Sequence, residues 1–246
     1  MAVLFFAVRS VLVSAWIGLG LLVELLFFPW LGRRARRWLV GGWSRVLMAL
    51  CGVRLQVLGE PLRQGAALWV SNHVSWVDVF VLNSVRPTSF VAKSDIRGWP
   101  VIGVLVAWSG TLFIDRRHRR AVRDASRQMQ GCFGHGDVVG LFPEGTSTDG
   151  SDVRNFHTGL FDAAIQAVVP VQPVALRFYR AGRRAPELAF VGDQTLVANL
   201  WVLLGSRRVE VHCEFLPPLY SSRTLSRAEL ARLAHEAIRG KILPPH

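Results

Sequence analysis

His73 and Asp78, in the stretch Asn72-His73-Val74-Ser75-Trp76-Val77-Asp78, are the residues of this chain best suited by type and spacing to moving a proton. An imidazole titrates near neutrality, and a carboxylate folded back onto it fixes its tautomer and stabilises the charged ring. A five-residue gap suits a histidine at a strand end with the aspartate in the first turn of the helix that follows. The same residues allow another reading, because Ser75 and Asp78 are spaced as the N-cap and third residue of a helix. Spacing alone leaves both open. Ser75 invites a role as nucleophile, yet no G-x-S-x-G elbow surrounds it.

Two further segments carry chemistry-bearing residues. Gly140-Leu141-Phe142-Pro143-Glu144-Gly145-Thr146 reads as a strand ended by proline, with Glu144 projecting toward the same crevice as His73. An exposed turn glutamate is the plainer reading, since Pro and Gly punctuate turns everywhere. Gly110-Thr111-Leu112-Phe113-Ile114-Asp115-Arg116 reads as a strand running into Arg117, Arg119 and Arg120. Guanidinium forks match phosphate oxygens, although a solvated charge run is the commoner meaning of such a string. Lys93 adds a positive charge after Phe90-Val91-Ala92. Asp149, Asp152 and His157 lack dependable ligand spacing and read as a polar loop, so no metal is expected. His118, His135, His212 and His235 are scattered and read as structural.

The elements that must position these groups alternate. Strands are expected at 67–71, 89–92, 111–114, 138–142, 171–176, 188–191 and 209–215, several of them almost continuously apolar, as strands covered on both faces are. Helices are expected at 76–83, 119–133, 159–167 and 226–239. The pattern predicts an α/β fold: a single, mostly covered β-sheet flanked by helices. Open α/β sheets bind ligands at the carboxyl ends of their strands, which is where His73 falls.

Ahead of this domain, residues 10–31 form an apolar stretch broken only by Glu24, about the length a hydrocarbon core of ~30 Å requires. Arg33, Arg34, Arg36 and Arg37 follow at once and favour the cytoplasmic side for that end. The run is too long for a cleaved signal, and the basic cluster lies after it. Trp38, Leu39, Trp43, Val46, Leu47 and Leu50 recur at helical spacing, as in an interfacial amphipathic helix or an ordinary core helix. Residues 1–53 are therefore expected to anchor the chain in a membrane and 54–246 to form the α/β domain. Composition agrees: 51% of residues are hydrophobic, nine are Trp, and the net charge is +12. That charge suits an acidic lipid surface or a phosphorylated molecule; no nucleic-acid signature accompanies it. Three well-separated cysteines fit a reducing compartment.

In this order, Asn72-His73…Asp78, Gly110…Asp115-Arg116, Phe142-Pro143-Glu144-Gly145-Thr146 and Val169-Pro170-Val171-Gln172-Pro173-Val174 resemble the four motif blocks of the glycerolipid acyltransferase superfamily. Within it the chain resembles the bacterial 1-acylglycerol-3-phosphate acyltransferases, over about residues 54–180. The resemblance implies a membrane-bound O-acyltransferase without cofactor or metal, with a lysolipid acceptor and acyl-CoA or acyl carrier protein as donor. It makes His73 the general base oriented by Asp78, with no acyl-enzyme. It assigns acceptor binding to Lys93, Gly110, Arg116, Phe142, Pro143, Glu144, Gly145 and Thr146, and gives the Pro173 block a structural part. The acceptor it implies first is 1-acylglycerol-3-phosphate, giving phosphatidic acid. Two departures bear on that choice: Ser147 stands where Arg is common, and His157 where Lys is frequent. They bring lyso-ornithine lipid and other lysolipids into play. A His-Asp thioesterase and a non-catalytic basic membrane module are the remaining alternatives.

Overall fold

The structure is a computed structural model that describes residues 2–98, 103, 106, 110–114, 120–220 and 224–243. Helix α1, Ala2–Phe27, continues through a 3-10 turn at Phe28–Trp30 and leads into α2, Arg33–Leu50. At 1.5 Å per residue α1 is about 39 Å long, enough to cross a membrane. It leaves Val3, Leu4, Val8, Val11, Leu19, Leu22 and Leu25 exposed. The helix pair is not free of the rest: Val13 of α1 and Leu47, Met48 and Cys51 of the α2 end are buried in the core of the α/β unit.

That unit is built on strands β1 Val53–Gly59, β2 Ala67–Ser71, β3 Thr88–Lys93, β4 Leu112–Ile114, β5 Val138–Leu141, β6 Val171–Arg180, β7 Arg183–Arg184 and β8 Val209–Phe215. They form one sheet in the order β1-β8-β6-β2-β5-β3-β4, with β7 paired to β6. Strands β6, β2, β5, β3 and β4 run parallel, while β8 lies antiparallel to β6 and parallel to β1. Helices α3 Val77–Val85, α4 Ala121–Gly134, α5 Asp162–Ala167, α6 Leu196–Gly205 and α7 Arg227–Ile242 cover it. Because side chains alternate along a strand, Trp69 of β2 joins the core under α1–α3 and α6, whereas Leu68 and Val70 join the core under α4, α5 and α7. Both faces are buried, and the expected covered α/β sheet is what forms.

Most expected elements are present with shifted ends. The run 159–167 splits into a 3-10 turn, Gly159–Phe161, and α5. The strand expected at 188–191 is not one: Pro186 opens a 3-10 turn, Pro186–Leu188, and Leu188 and Ala189 enter the core from a loop. A short apolar run carries no periodicity that separates these cases. Strand β1 and helix α6 were not expected; β1 alternates poorly, its exposure rising toward its end.

Two arginines after α1 dock the helix pair onto the sheet. Arg33 Nη2 lies 2.7 Å from Asp137 Oδ2, and Arg37 pairs with the other oxygen while donating to the Pro87 carbonyl at 2.6 Å. Asp137 is buried at the entrance to β5. Asp137→Ala strands both cations at this joint, and we expect it to lower stability by roughly 1–3 kcal/mol. Unfolding in detergent measures this; a change within error would mean the pair does not hold α2 in place.

Candidate active site

His73 lies two residues beyond the end of β2, and Phe142 follows the last residue of β5; the register Val70↔Leu141 sets the two segments side by side. Asn72, fully buried, clamps this end of β2 to β6, its amide nitrogen donating to the Leu176 carbonyl at 3.0 Å and its oxygen accepting the Leu176 N–H at 2.8 Å. From that fixed point the chain turns into α3. Asp78, wholly buried, presents one oxygen, Oδ2, to three groups: His73 Nδ1 at 2.8 Å, the Val74 N–H at 2.7 Å and the Ser75 N–H at 2.9 Å. The aspartate thus both closes the turn and holds the imidazole. Nδ1 is the nitrogen that faces the carboxylate, so Nε2 is the one left for chemistry.

The ring lies on Phe142, with centroids 4.3 Å apart and planes at 20°, and Phe142 in turn stacks on Phe90. Gly140 makes room for this column, because a Cβ there would meet the Phe90 ring at 2.4 Å. Glu144 is buried, and both its oxygens are taken by backbone: Oε1 accepts the His73 N–H at 2.7 Å and Oε2 the Arg154 N–H at 2.8 Å. Burial raises its pKa, opposed by those two hydrogen bonds. The Thr148 N–H donates to the His73 carbonyl at 2.8 Å. His73 is therefore gripped at its amide, its carbonyl and its ring.

Gly145 takes a positive φ of 75°, which closes the turn through its N–H to the Phe142 carbonyl at 3.2 Å. Pro143 is buried and Thr146 exposed beside it. Lys93 ends β3, exposed, and pairs in register with Ile114. Gly110 is exposed, with φ 82°. Arg116 lies outside the described residues. Ser147 donates its hydroxyl to the Phe190 carbonyl, and the Phe190 N–H donates to Val74, so the loop after Pro186–Leu188 closes over the histidine turn. Ser75 Oγ is buried and has no hydrogen-bond partner among the described residues, the imidazole included. Gln172 pins residues 60–62 to β6 through Leu62 N–H and Glu60 O, a structural part for the Pro173 block.

Sequence reading missed Thr148 and the Arg154 amide. Both act through backbone groups of a loop, and no residue type signals that. The stacking of Phe142 under the imidazole had only its place after a strand to announce it.

Comparisons with known proteins bear on this geometry. Residues 54–177 match the family model Acyltransferase. The chain is 38% identical to the lyso-ornithine lipid O-acyltransferase of Pseudomonas aeruginosa, covering 92% of this chain and 85% of that one. It is 32% identical to the 1-acyl-sn-glycerol-3-phosphate acyltransferase of Neisseria meningitidis serogroup B, covering 81% and 78%. In fold it resembles the 1-acyl-sn-glycerophosphate acyltransferase of Thermotoga maritima, at a TM-score of 0.65 and 20% identity over 96% of both chains.

Glu144→Gln tests the grip on His73. The amide can accept only one of the two N–H groups, and we expect a stability loss of roughly 1–3 kcal/mol. The pH dependence has a definite sign. A carboxyl raised above its ordinary 4.5 contributes stability that is full below that value and is lost as pH rises through the raised one. The stability advantage of wild type over Glu144→Gln should therefore shrink from acid toward neutral pH; a difference that grows would contradict the burial effect.

Proposed function

This chain belongs to the Acyltransferase family, and from that premise we propose that it is a membrane-bound lysolipid O-acyltransferase using His73 as general base and Asp78 to orient it. The observation that carries the reading is the 2.8 Å contact between His73 Nδ1 and the fully buried Asp78. Residues 1–53 serve as the membrane anchor, with the domain at 54–246 on the cytoplasmic face.

His73 Nε2 takes the proton of the acceptor hydroxyl as its oxygen attacks the thioester carbonyl carbon. The tetrahedral intermediate collapses by breaking the C–S bond, and the imidazolium returns the proton to the leaving thiolate. Asp78 stabilises that imidazolium. No acyl-enzyme forms: the Ser75 hydroxyl is buried and makes no hydrogen bond to the imidazole. The donor is acyl-CoA or acyl carrier protein. Lys93, Gly110, Arg116 and the segment Phe142–Thr146 border the acceptor, with Glu144 shaping that segment through its two backbone bonds rather than through a free carboxylate.

Of the acceptors, lyso-ornithine lipid is placed first. Ser147 carries no charge and spends its hydroxyl on Phe190, and the Pseudomonas relative is named for that activity. The Neisseria relative supports 1-acylglycerol-3-phosphate as the second reading.

His73→Ala should cut acyl transfer by ~10²–10⁴ and leave the fold intact; near-normal turnover in a detergent assay would sink the mechanism. Asp78→Asn keeps an oxygen for the Val74 and Ser75 amides but removes the charge that steadies the imidazolium. Its rate loss should greatly exceed what its thermal stability accounts for, and proportional losses would reduce Asp78 to a cap. Assayed side by side, lyso-ornithine lipid should outperform 1-acylglycerol-3-phosphate with wild type, and Ser147→Arg should narrow the gap. A wild-type preference for the phosphate acceptor, unmoved by the arginine, would reverse the order.

A further inference from the structure

Where the start of α1 meets the end of α6 and the turn from β6 to β7 lies a cavity of about 560 Å³. Arg180, Arg207 and Arg208 border it, and no carboxylate among the described residues does. The sheet brings them together, because Arg180 ends β6 in register with Val209, the residue after Arg208. Arg207 and Arg208 are exposed, and neither has an ion-pair partner among the described residues. Arg207 lies instead over the Phe5 ring of α1, 5.2 Å from its centroid. Arg180 pairs with Glu187 at 3.2 Å, an exposed contact of the kind that holds weakly. The carbonyls at the end of α6 would repel an anion, but Arg9 covers them, donating to Leu204 at 3.0 Å and to Ser206. Arg208 keeps a left-handed φ of 54°, which a side chain of its kind seldom adopts. Cations crowded in this way repel one another unless an anion joins them, and guanidinium forks match phosphate oxygens.

Two spans fix how far this corner lies from His73. Asn72 is bonded to Leu176, and Arg180 stands four residues further along β6, about 13 Å at the rise of a strand. On the other side of the histidine turn, Trp76 Nε1 donates to Asn199 at 2.9 Å. Ser206 follows seven residues beyond Asn199, about 10 Å at the rise of a helix. Both ends of the turn therefore lead to the same arginines over similar distances. The phosphate of a 1-acylglycerol-3-phosphate cannot cover that span, since it sits roughly four bonds, ~5 Å, from the reacting hydroxyl. The acyl donor can. In acyl-CoA and in acyl carrier protein alike, pantetheine joins the thioester sulfur to a phosphate roughly thirteen bonds away, ~15 Å when extended. We propose that Arg180, Arg207 and Arg208 form the site for the phosphate of the donor's phosphopantetheine arm. That the phosphate belongs to a donor rests on the lysolipid acyltransferase reading; that the corner takes a phosphate rests on the arginines alone.

Equilibrium binding of pantetheine and of 4′-phosphopantetheine to the full-length protein in detergent tests this, since the two differ only by the phosphate. We expect the phosphorylated compound to bind wild type roughly tenfold more tightly. Arg207→Gln and Arg208→Gly should each bring that ratio toward one and leave pantetheine binding as it is in wild type. Both side chains are exposed, and glycine suits the backbone of residue 208, so the variants keep the fold. In acyl-transfer assays the same substitutions should raise the donor KM severalfold, with acyl-CoA and with acyl carrier protein alike, and leave the acceptor KM unmoved. Equal binding of the two compounds to wild type overturns the proposal, and so does a phosphate preference that survives both substitutions. A KM effect confined to acyl-CoA overturns it by assigning the arginines to the nucleotide phosphates. One confined to acyl carrier protein makes them a protein-docking patch, and a loss only of binding to phosphatidylglycerol vesicles makes them a headgroup site. Absence of acyl transfer with phosphate-dependent binding intact would fail the transferase reading and leave the phosphate site standing.

Discussion

A single carboxylate oxygen, Asp78 Oδ2, holds the centre of this molecule together. It is fully buried, and an ionised carboxylate in such a place is tolerable only when donors surround it. Three do: the His73 ring and the amides of Val74 and Ser75. The two amides turn the chain from β2 into α3, and the ring is aimed by that turn. The turn and the orientation of the ring therefore draw on one interaction. This is why closing the turn and holding the imidazole, the two parts open to Asp78 from its spacing, are not rivals in the folded protein; the same oxygen does both.

The turn would wander if its ends were loose. Asn72 fixes its start against β6, and Glu144, one strand over, accepts the His73 amide while its other oxygen holds Arg154. Phe142 and Phe90 give the imidazole a flat, apolar floor. Parallel strands make this possible, because they deliver several chain reversals to one edge of the sheet. Residues 73, 93 and 142 all emerge or end there.

The N-terminal helices are tied to this same unit. They leave a long apolar surface outward, yet bury Val13, Leu47 and Met48 against the sheet and pair Arg33 and Arg37 with Asp137. Helices joined to the sheet in this way keep a fixed orientation relative to it.

The sequence by itself determined the α/β class, the covered sheet and the apolar N-terminal helix, because hydrophobic periodicity and run length are local properties. It also brought out His73 and Asp78, since their partnership spans only five residues and one turn of chain. Resemblance of four ordered blocks added the family, and with it the transfer chemistry. What sequence left open depended on distance in the chain. That Glu144 spends both oxygens on backbone amides, that Ser147 is tied to Phe190, and that residues 188–191 are loop rather than strand are set by groups brought together from far apart.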